Sequence, residues 1–439
     1  KIITLTTDLD DIIDVEPYTV EINEWSDGIN IDSEIVGSSV NNEVVIDFVS
    51  DNDGIVTTLV ESNSGGRVSA KLRSYNRDSS PTSFSSLAQY EIFNVGMDIN
   101  PRALVNNVKT SNVNGLFADV YRGGTHFVVM YFNKDRDEQY NLVSTKQYGT
   151  EGDDIVTGAV LKNEILYVYG NTNGESFEGV PGFESNNGGE DGFIYAIEVT
   201  NNTHRWSRFI GTSDQDNLVS LDVGNRDVIA LVSSKNTDED AFIRKLSLST
   251  GLDIEDENPV EISTPRNDRP ASIRFDSTAS NFRVLFDSDA KLDGIDENTP
   301  SLSRDVQLLT YDSSNENGGA ISFATAQEDI AKYLENTPDN SHLLVAGDTY
   351  GELEENIKRG DTGTDAFVSI IGTESSDNLE VLSNIQFGTS ADDELISIKA
   401  ISDTKFFTLW SEKLTDLNDT VFRISAFSVD GKKLSRDPE

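Results

Sequence analysis

Seven times along this chain a turn is followed by a short, nearly continuous apolar run, and each run leads within a few tens of residues to an acidic residue heading another strand. The runs are Ile55–Val60, Phe127–Phe132, Ile165–Tyr169, Val228–Val232, Phe282–Phe286, Leu343–Ala346 and Phe406–Trp410. They recur on average about 58 residues apart, and self-similarity at so regular a spacing marks a repeat architecture in which neighbouring units bury each other's apolar faces. The runs are rich in β-branched and aromatic residues, four to six residues long and bounded by turn residues, which is the signature of strands. Apart from Gln327–Glu335, no longer window holds a helical period, so the chain is expected to contain almost no helix.

The acid-headed strands are clearest at Asp191-Gly-Phe-Ile-Tyr195, Asp240-Ala-Phe-Ile-Arg244 and Asp365-Ala-Phe-Val-Ser369. Weaker copies begin at Asp305, Asp419 and Glu138, and the first unit keeps only Val68–Leu72. The first strand of a unit alternates, as in Val219–Val223, whereas the apolar runs are apolar at both parities and must be covered on both faces. Stacking sheet on sheet around a ring does this to the middle strands of a β-propeller.

Three units begin or end on a Gly-Thr step followed by acids: Gly149-Thr-Glu-Gly-Asp-Asp154, Gly211-Thr-Ser-Asp-Gln-Asp216 and Gly388-Thr-Ser-Ala-Asp-Asp393. Two apolar runs end in Gly170-Asn-Thr172 and Gly347-Asp-Thr349. With the Asp-Ala-Phe strands, this order resembles the bacterial seven-bladed β-propeller repeat family often labelled SBBP. The resemblance is strongest at 150–211 and 325–388. It implies a fold, and a place among extracellular and surface-protein modules, and carries over no catalytic residue.

The units read as 32–93, 94–149, 150–211, 212–264, 265–324, 325–388 and 389–439: one all-β, seven-bladed propeller of four-stranded antiparallel blades. The last unit has no clear outer strand of its own. Residues 1–31 hold two candidates, Tyr18–Glu24 and Lys1–Thr7, so this segment is expected to supply the closing strand, because an unpaired edge is a liability that closure removes.

There are 77 acidic and 34 basic residues, a net charge of −43, spread over every unit. Nucleic acid is excluded as a partner, since phosphate binding requires a basic patch. The charge serves solubility in salty or divalent-rich surroundings, or some of it holds Ca²⁺, a hard cation that takes six to eight oxygen ligands. Asp287, Asp289, Asp293 and Asp296 form the best calcium candidate, although the spacing departs from the standard loop and no Glu stands at its twelfth position. The recurring Asp191, Asp240, Asp305, Asp365 and Asp419 read as architectural, because an active site should break a repeat. His126, His204 and His342 lack ligand or triad spacing. Without Cys there is neither thiol chemistry nor a disulfide.

The longest insertions, at Asn171–Glu190, Ala290–Ser303 and Tyr350–Asp365, carry Phe177, Phe183 and Tyr350. Loops on a rigid scaffold commonly hold binding function, so these aromatics are candidates for a protein or carbohydrate ligand. No segment is apolar enough for a signal peptide or a membrane span. The resemblance and the composition together imply a non-enzymatic, extracellular binding or structural module of a bacterial cell-surface, adhesin-like or appendage protein, with Ca²⁺ as a candidate ligand of Asp287, Asp289, Asp293 and Asp296 and with a larger polypeptide or assembly as its expected setting. The alternatives are a virion surface or tail component and a propeller enzyme acting on polysaccharide.

Overall fold

The structure is a computed structural model that describes 19–21, 32–38 and most of 43–428; the longest stretches it leaves undescribed inside that range are 178–185, 290–303 and 354–362. Every element in the described residues is a strand. The N-terminal region contributes β1 (Thr19–Glu21) and β2 (Asp32–Ser38). Sheet 1 follows with β3 (Glu43–Ser50), β4 (Val56–Ser64), β5 (Arg67–Arg77) and β6 (Phe84–Ile92), and sheet 2 with β7 (Ile99–Asn107), β8 (Val113–Tyr121), β9 (Thr125–Lys134) and β10 (Tyr140–Tyr148). Sheet 3 holds β11 (Asp154–Lys162), β12 (Ile165–Thr172), β13 (Asp191–Glu198) and β14 (Thr203–Ile210); sheet 4 holds β15 (Gln215–Val223), β16 (Asp227–Lys235), β17 (Glu239–Ser247) and β18 (Val260–Ile262). Sheet 5 is β19 (Asp268–Phe275), β20 (Phe282–Ser288), β21 (Asp305–Tyr311) and β22 (Asn317–Phe323), and sheet 6 is β23 (Asp329–Asn336), β24 (His342–Thr349), β25 (Asp365–Gly372) and β26 (Glu380–Phe387). Sheet 7 has β27 (Asp393–Ser402), β28 (Lys405–Leu414) and β29 (Asp419–Ser428), to which β2 and then β1 are added.

Strands within each sheet are antiparallel and, in sheets 1 to 6, run in chain order from the first outward; in sheet 7 β27, β28 and β29 do so and are followed by β2 and β1. Each first strand touches the first strands of the sheets before and after it, and β27 touches β3, so the first strands close on themselves. Apolar side chains fill the space between successive sheets. Val128 and Met130 meet Leu59 and Leu72 between sheets 1 and 2, while Phe407, Leu409, Phe422 and Ile424 meet Val45, Phe48, Val56 and Val60 between sheets 7 and 1. The fold is a β-propeller of four-stranded antiparallel blades around a central channel.

The two-sided apolar runs lie in the middle of the sheets, as their lack of alternation requires: β20 and β21 are buried along their whole length. Sheet 2 departs from the pattern. Its apolar run Phe127–Phe132 is in the third strand, β9, not the second, and the segment containing Leu142 is the outer strand β10. The helical period at Gln327–Glu335 is overridden by pairing, since β23 lies there against β24.

The strand paired with β29 is Asp32–Ser38, in register from Asp32 opposite Ala426 to Ser38 opposite Val421. The sequence units assigned 32–38 to the first blade; the structure adds it to sheet 7, and sheet 1 begins at Glu43. Of Tyr18–Glu24, Thr19–Glu21 forms β1, one strand farther out; Lys1–Thr7 is outside the described residues.

Each of the seven first strands carries a bulge at the same place, three residues after the first strand residue or the aspartate near it: Ile46, Arg102, Thr157, Val219, Ala271, Lys332 and Ile396. A bulge bends a strand and re-aims its side chains. Repeated around the ring, it curves every inner strand about the channel in the same way.

Candidate functional site

The Gly-Thr step and the acid after it are a joint between blades. In Gly149–Asp154 the Thr150 N–H and hydroxyl donate to Asp154 at 2.7 and 2.8 Å, and the same hydroxyl accepts the Gly152 N–H at 3.1 Å. Thr212 repeats this with Asp216 at 2.5 and 2.8 Å, Thr325 with Asp329 at 2.7 and 3.2 Å, and Thr389 with Asp393. These four aspartates are completely buried. Both properties explain the residue types: a buried carboxylate must be hydrogen-bonded, and a short hydroxyl residue four positions earlier offers two donors to it.

The Gly-Asn-Thr and Gly-Asp-Thr ends of β12 and β24 have a second task. An inner strand pairs on one side only, leaving alternate N–H groups pointing away from its sheet, and buried N–H groups need acceptors. Asn171 Oδ1 accepts the Leu218 N–H of the next blade at 2.7 Å, and Asp348 Oδ1 accepts that of Leu395 at 2.8 Å. Asp287, at the matching place in β20, accepts the Ala331 N–H at 3.2 Å. Deeper in the channel Asp47 accepts from Leu104 at 3.0 Å, Ser220 from Ile273 at 3.2 Å and Asp222 from Phe275 at 2.7 Å. Asp47 also receives the Ser397 hydroxyl at 3.2 Å, joining sheet 7 to sheet 1.

Charge follows staple type. Asp348 is met by Lys332 Nζ at 2.7 Å and Asp287 by the Arg304 and Arg269 guanidiniums. Burial nevertheless holds both carboxyls above their ordinary range, against the pull of these cations. Asn171 is neutral and needs no such partner. The acids at these positions are thus engaged in backbone bonds and ion pairs, which residue counting does not show.

The repeat breaks along the channel. Immediately after the bulge, four inner strands carry a small residue paired with a large one on the second strand: Ala103 with Phe117, Ser220 with Leu231, Ser272 with Leu285 and Ser397 with Leu409; in sheet 1 the pair is Asp47 with Leu59. In sheet 3 the pair is Gly158 with Tyr169, and in sheet 6 the sizes are exchanged, Tyr333 with Ala346. A Cβ at Gly158 would stand 2.5 Å from the Tyr169 hydroxyl, so the missing side chain makes room for the phenol. Burial raises the pKa of both phenols. For Tyr169, Arg274 opposes this and Asp47 and Asp222 add to it; for Tyr333, Asp47, Asp348, Glu394 and Tyr169 add to it. These residues therefore share one electrostatic neighbourhood inside the ring. Neither phenol oxygen has a hydrogen-bond partner among the described residues. No motif marks this site in the sequence. Its signal is a tyrosine in the pair that follows the bulge, on the second strand in sheet 3 and on the inner strand in sheet 6, and it becomes visible once the register is known.

The residues singled out from sequence are scattered. Asp287 and Asp289 lie side by side in one ion-pair cluster, with Arg269 reaching Asp289 at 3.0 Å through both terminal nitrogens; Asp293 and Asp296 fall outside the described residues. Among the described residues no group of three or more His, Cys, Asp or Glu side chains is placed to hold a metal ion. Phe177 is not a surface aromatic: it is 3% exposed, stacks on Phe209 at 5.1 Å and meets Phe193 and Tyr195 edge-on. Its backbone bridges to Thr150, beside the core that its ring enters. Tyr350 is exposed, and Phe183 is outside the described residues. Phe177→Ala is expected to cost about 3 kcal/mol of unfolding free energy and Tyr350→Ala less than about 0.5 kcal/mol. Equal losses in urea titrations of the two variants would contradict this placement.

Asp191, Asp305 and Asp365 are buried, and Asp365 accepts the Gln386 amide at 2.8 Å; Asp240 is half-buried. The histidines lie on three different sheets. His126 Nδ1 stands 3.4 Å from Asp154, His204 packs on Tyr195 at 4.7 Å between ring centres, and His342 bonds Ser341 at 2.8 Å.

No helix among the described residues is long and apolar enough to cross a membrane. No family model matches the chain, and no curated protein matches it. Among solved structures it is similar to the hydrazine synthase of Kuenenia stuttgartiensis, with a TM-score of 0.50 and 10% identity over 86% of this chain and 94% of that one. It is also similar to Raptor of Chaetomium thermophilum, with a TM-score of 0.53 and 9% identity over 89% of this chain but only 29% of Raptor. At such identities the likeness is one of fold alone, and the fold it supports is the β-propeller.

Proposed function

We propose that the chain is a seven-bladed propeller of the SBBP type, closed by β2, serving as a non-enzymatic binding or structural module of an extracellular bacterial surface, adhesin-like or appendage protein. The observation that carries this reading is how the carboxylates are used. Asp154, Asp216, Asp329 and Asp393 are tied to threonines, and Asp47, Asp222, Asp287 and Asp348 to the next blade's backbone. A carboxylate that acts on a substrate has to be able to reach it, and these are turned into the scaffold. The binding face on this reading is the end that carries the insertions after β12, β20 and β24, where Tyr350 is exposed and a protein or carbohydrate surface is the expected partner. A calcium ion at 287–296 would compete with Arg269 and Arg304 for the first two of its ligands.

The test is the denatured mass of the native polypeptide containing these residues, together with the size of its native assembly. A mass far above 48.2 kDa supports the surface-module reading. A mass near 48.2 kDa in a large ordered particle would replace it with a virion component, and a free monomer of that mass would favour a polysaccharide-acting enzyme instead.

A further inference from the structure

The Gly-Thr joints do more than turn the chain. Each brings the head of a third strand in one blade against the buried aspartate that heads the inner strand of the next. A Cβ at Gly388 would stand 2.4 Å from Asp365 Oδ1 and 2.5 Å from Asp393 Oδ2. Those two oxygens therefore lie within about 5 Å of each other, close enough for one carboxylate to oppose ionisation of the other. At Gly211 the same point is 2.2 Å from Asp191, while Asp216 closes the turn that follows. At Gly149 it lies 2.2 Å from His126 Nδ1 and 2.5 Å from Asp154, a basic group taking the acid's place. At Gly388 and Gly149 a side chain would collide with both groups, and at the Asp329 joint Ala324 stands in the place of the glycine.

We infer that the joints at Asp329 and Asp393 are proton-binding seams: these two buried acids at the blade junctions take up protons in mildly acidic surroundings, and the ring packs more firmly there than above neutral pH.

The surroundings of two joints bear directly on this. Asp393 faces the Thr389 N–H and hydroxyl from its own linker, Asp365 from β25 and Glu412 from β28, and Glu412 is itself held by Arg423 of β29 at 2.6 Å. Asp329 faces Thr325, Thr349 of β24 and Asp305 of β21. Among the described residues no Lys, Arg or His forms an ion pair with either aspartate. Burial, reinforced by these neighbouring acids, pushes Asp329 up to about 6 and Asp393 up to about 7.

Both folded values lie above the ordinary aspartate value of about 3.9 that applies to the unfolded chain. The folded state therefore holds more protons between pH 4 and 7. The stability this contributes is complete below pH 4 and is lost as the pH rises through 6 and 7. General repulsion from the net charge acts in the same direction, but added salt screens it while leaving buried pairs largely untouched.

The experiment is thermal unfolding at pH 5, 6, 7 and 8 in about 0.5 M NaCl, for the unmodified protein and for the Asp329→Asn, Asp393→Asn double variant. Asparagine keeps an acceptor for the threonine N–H, and the hydroxyls can turn to accept from its amide. The unmodified protein is expected to lose roughly 5 °C or more in Tm from pH 5 to pH 8. The double variant should match it at pH 5, exceed it at pH 8 and show a clearly flatter profile. An unchanged slope in the variant overturns the inference. So does a rise in Tm at pH 8 on adding millimolar Ca²⁺ that the variant lacks, because the joints would then be cation sites. Infrared spectra of the unmodified protein, labelled with ¹³C-carboxyl aspartate, supply a reading that needs no variant: protonated carboxyl absorption persisting at pH 6 supports the seams, and its complete loss by pH 5 rejects them.

Discussion

Removal of residues 1–38 is expected to abolish the single cooperative unfolding transition, whereas removal of 1–31 should leave it in place with a modest fall in midpoint. The difference is β2. Residues Asp32–Ser38 pair with β29 along Val421–Ala426, and the far side of β29 is already paired with β28. Taking β2 away leaves β29 as a bare edge strand whose Val421, Phe422, Ile424 and Phe427 are buried in the intact ring. It also opens the ring where the two ends of the chain meet, because Phe422 and Ile424 pack on Val45, Phe48 and Val60 of sheet 1. An exposed apolar edge invites pairing with another chain. The longer truncation should therefore both lose cooperativity and associate. The shorter one removes only β1, which is three residues long and lies outside β2. Calorimetry and light scattering on the two truncations decide the matter. Similar behaviour of both would mean that β2 does not close the ring.

The second large effect lies in the staples between blades. Asp348→Leu is expected to cost roughly 3–5 kcal/mol, because it leaves the Leu395 N–H without its acceptor and Lys332 without its nearest carboxylate, and breaking one side of a buried ion pair costs about that much. Asp348→Asn should cost about 1 kcal/mol, since the acceptor for Leu395 survives and Lys332 keeps Glu394 at 2.8 Å and the Leu395 carbonyl at 2.8 Å. The protein already contains the comparison, with Asn171 performing the same task toward Leu218 and no cation bonded to it among the described residues. Asp287→Leu should resemble Asp348→Leu, since it strands Arg304 and the Ala331 N–H. Urea titrations read these differences. If Asp348→Asn and Asp348→Leu lose the same amount, the hydrogen bond to Leu395 contributes nothing and the pair is purely electrostatic.

The staples also bear on function. A ring that uses its acids to cap the inner edge of each blade is stiff at the channel wall, and a stiff wall is what allows loops to diverge at one end without disturbing the core. Tyr169 and Tyr333 depart from the repeat, with Asp47 acting on both, while each also packs against an apolar cluster.

Much of this was legible in the amino-acid order. Apolar runs without alternation, such as Phe282–Phe286, can only be strands covered on both faces, and the structure buries them so. The recurring Gly-Thr and Asp-Ala-Phe segments fixed where one unit passes to the next, because a buried acid, a short hydroxyl residue and a glycine in tight contact admit few substitutes. The sequence also implied that a repeated acid serves the scaffold. It could not say which strand closes sheet 7, since Tyr18–Glu24 and Asp32–Ser38 both have strand-like composition and only the register against β29 separates them. Nor could it show that Phe177 turns inward, where its backbone bridges to Thr150, or that Asp287 and Asp289 are held by Arg269 and Arg304. Periodicity and composition are local, so they determine which segments become strands and which faces must be buried. The partners of each charge and the choice of closing strand depend on contacts between residues far apart in the chain, such as Ser397 with Asp47, and these were decided only when the ring was formed.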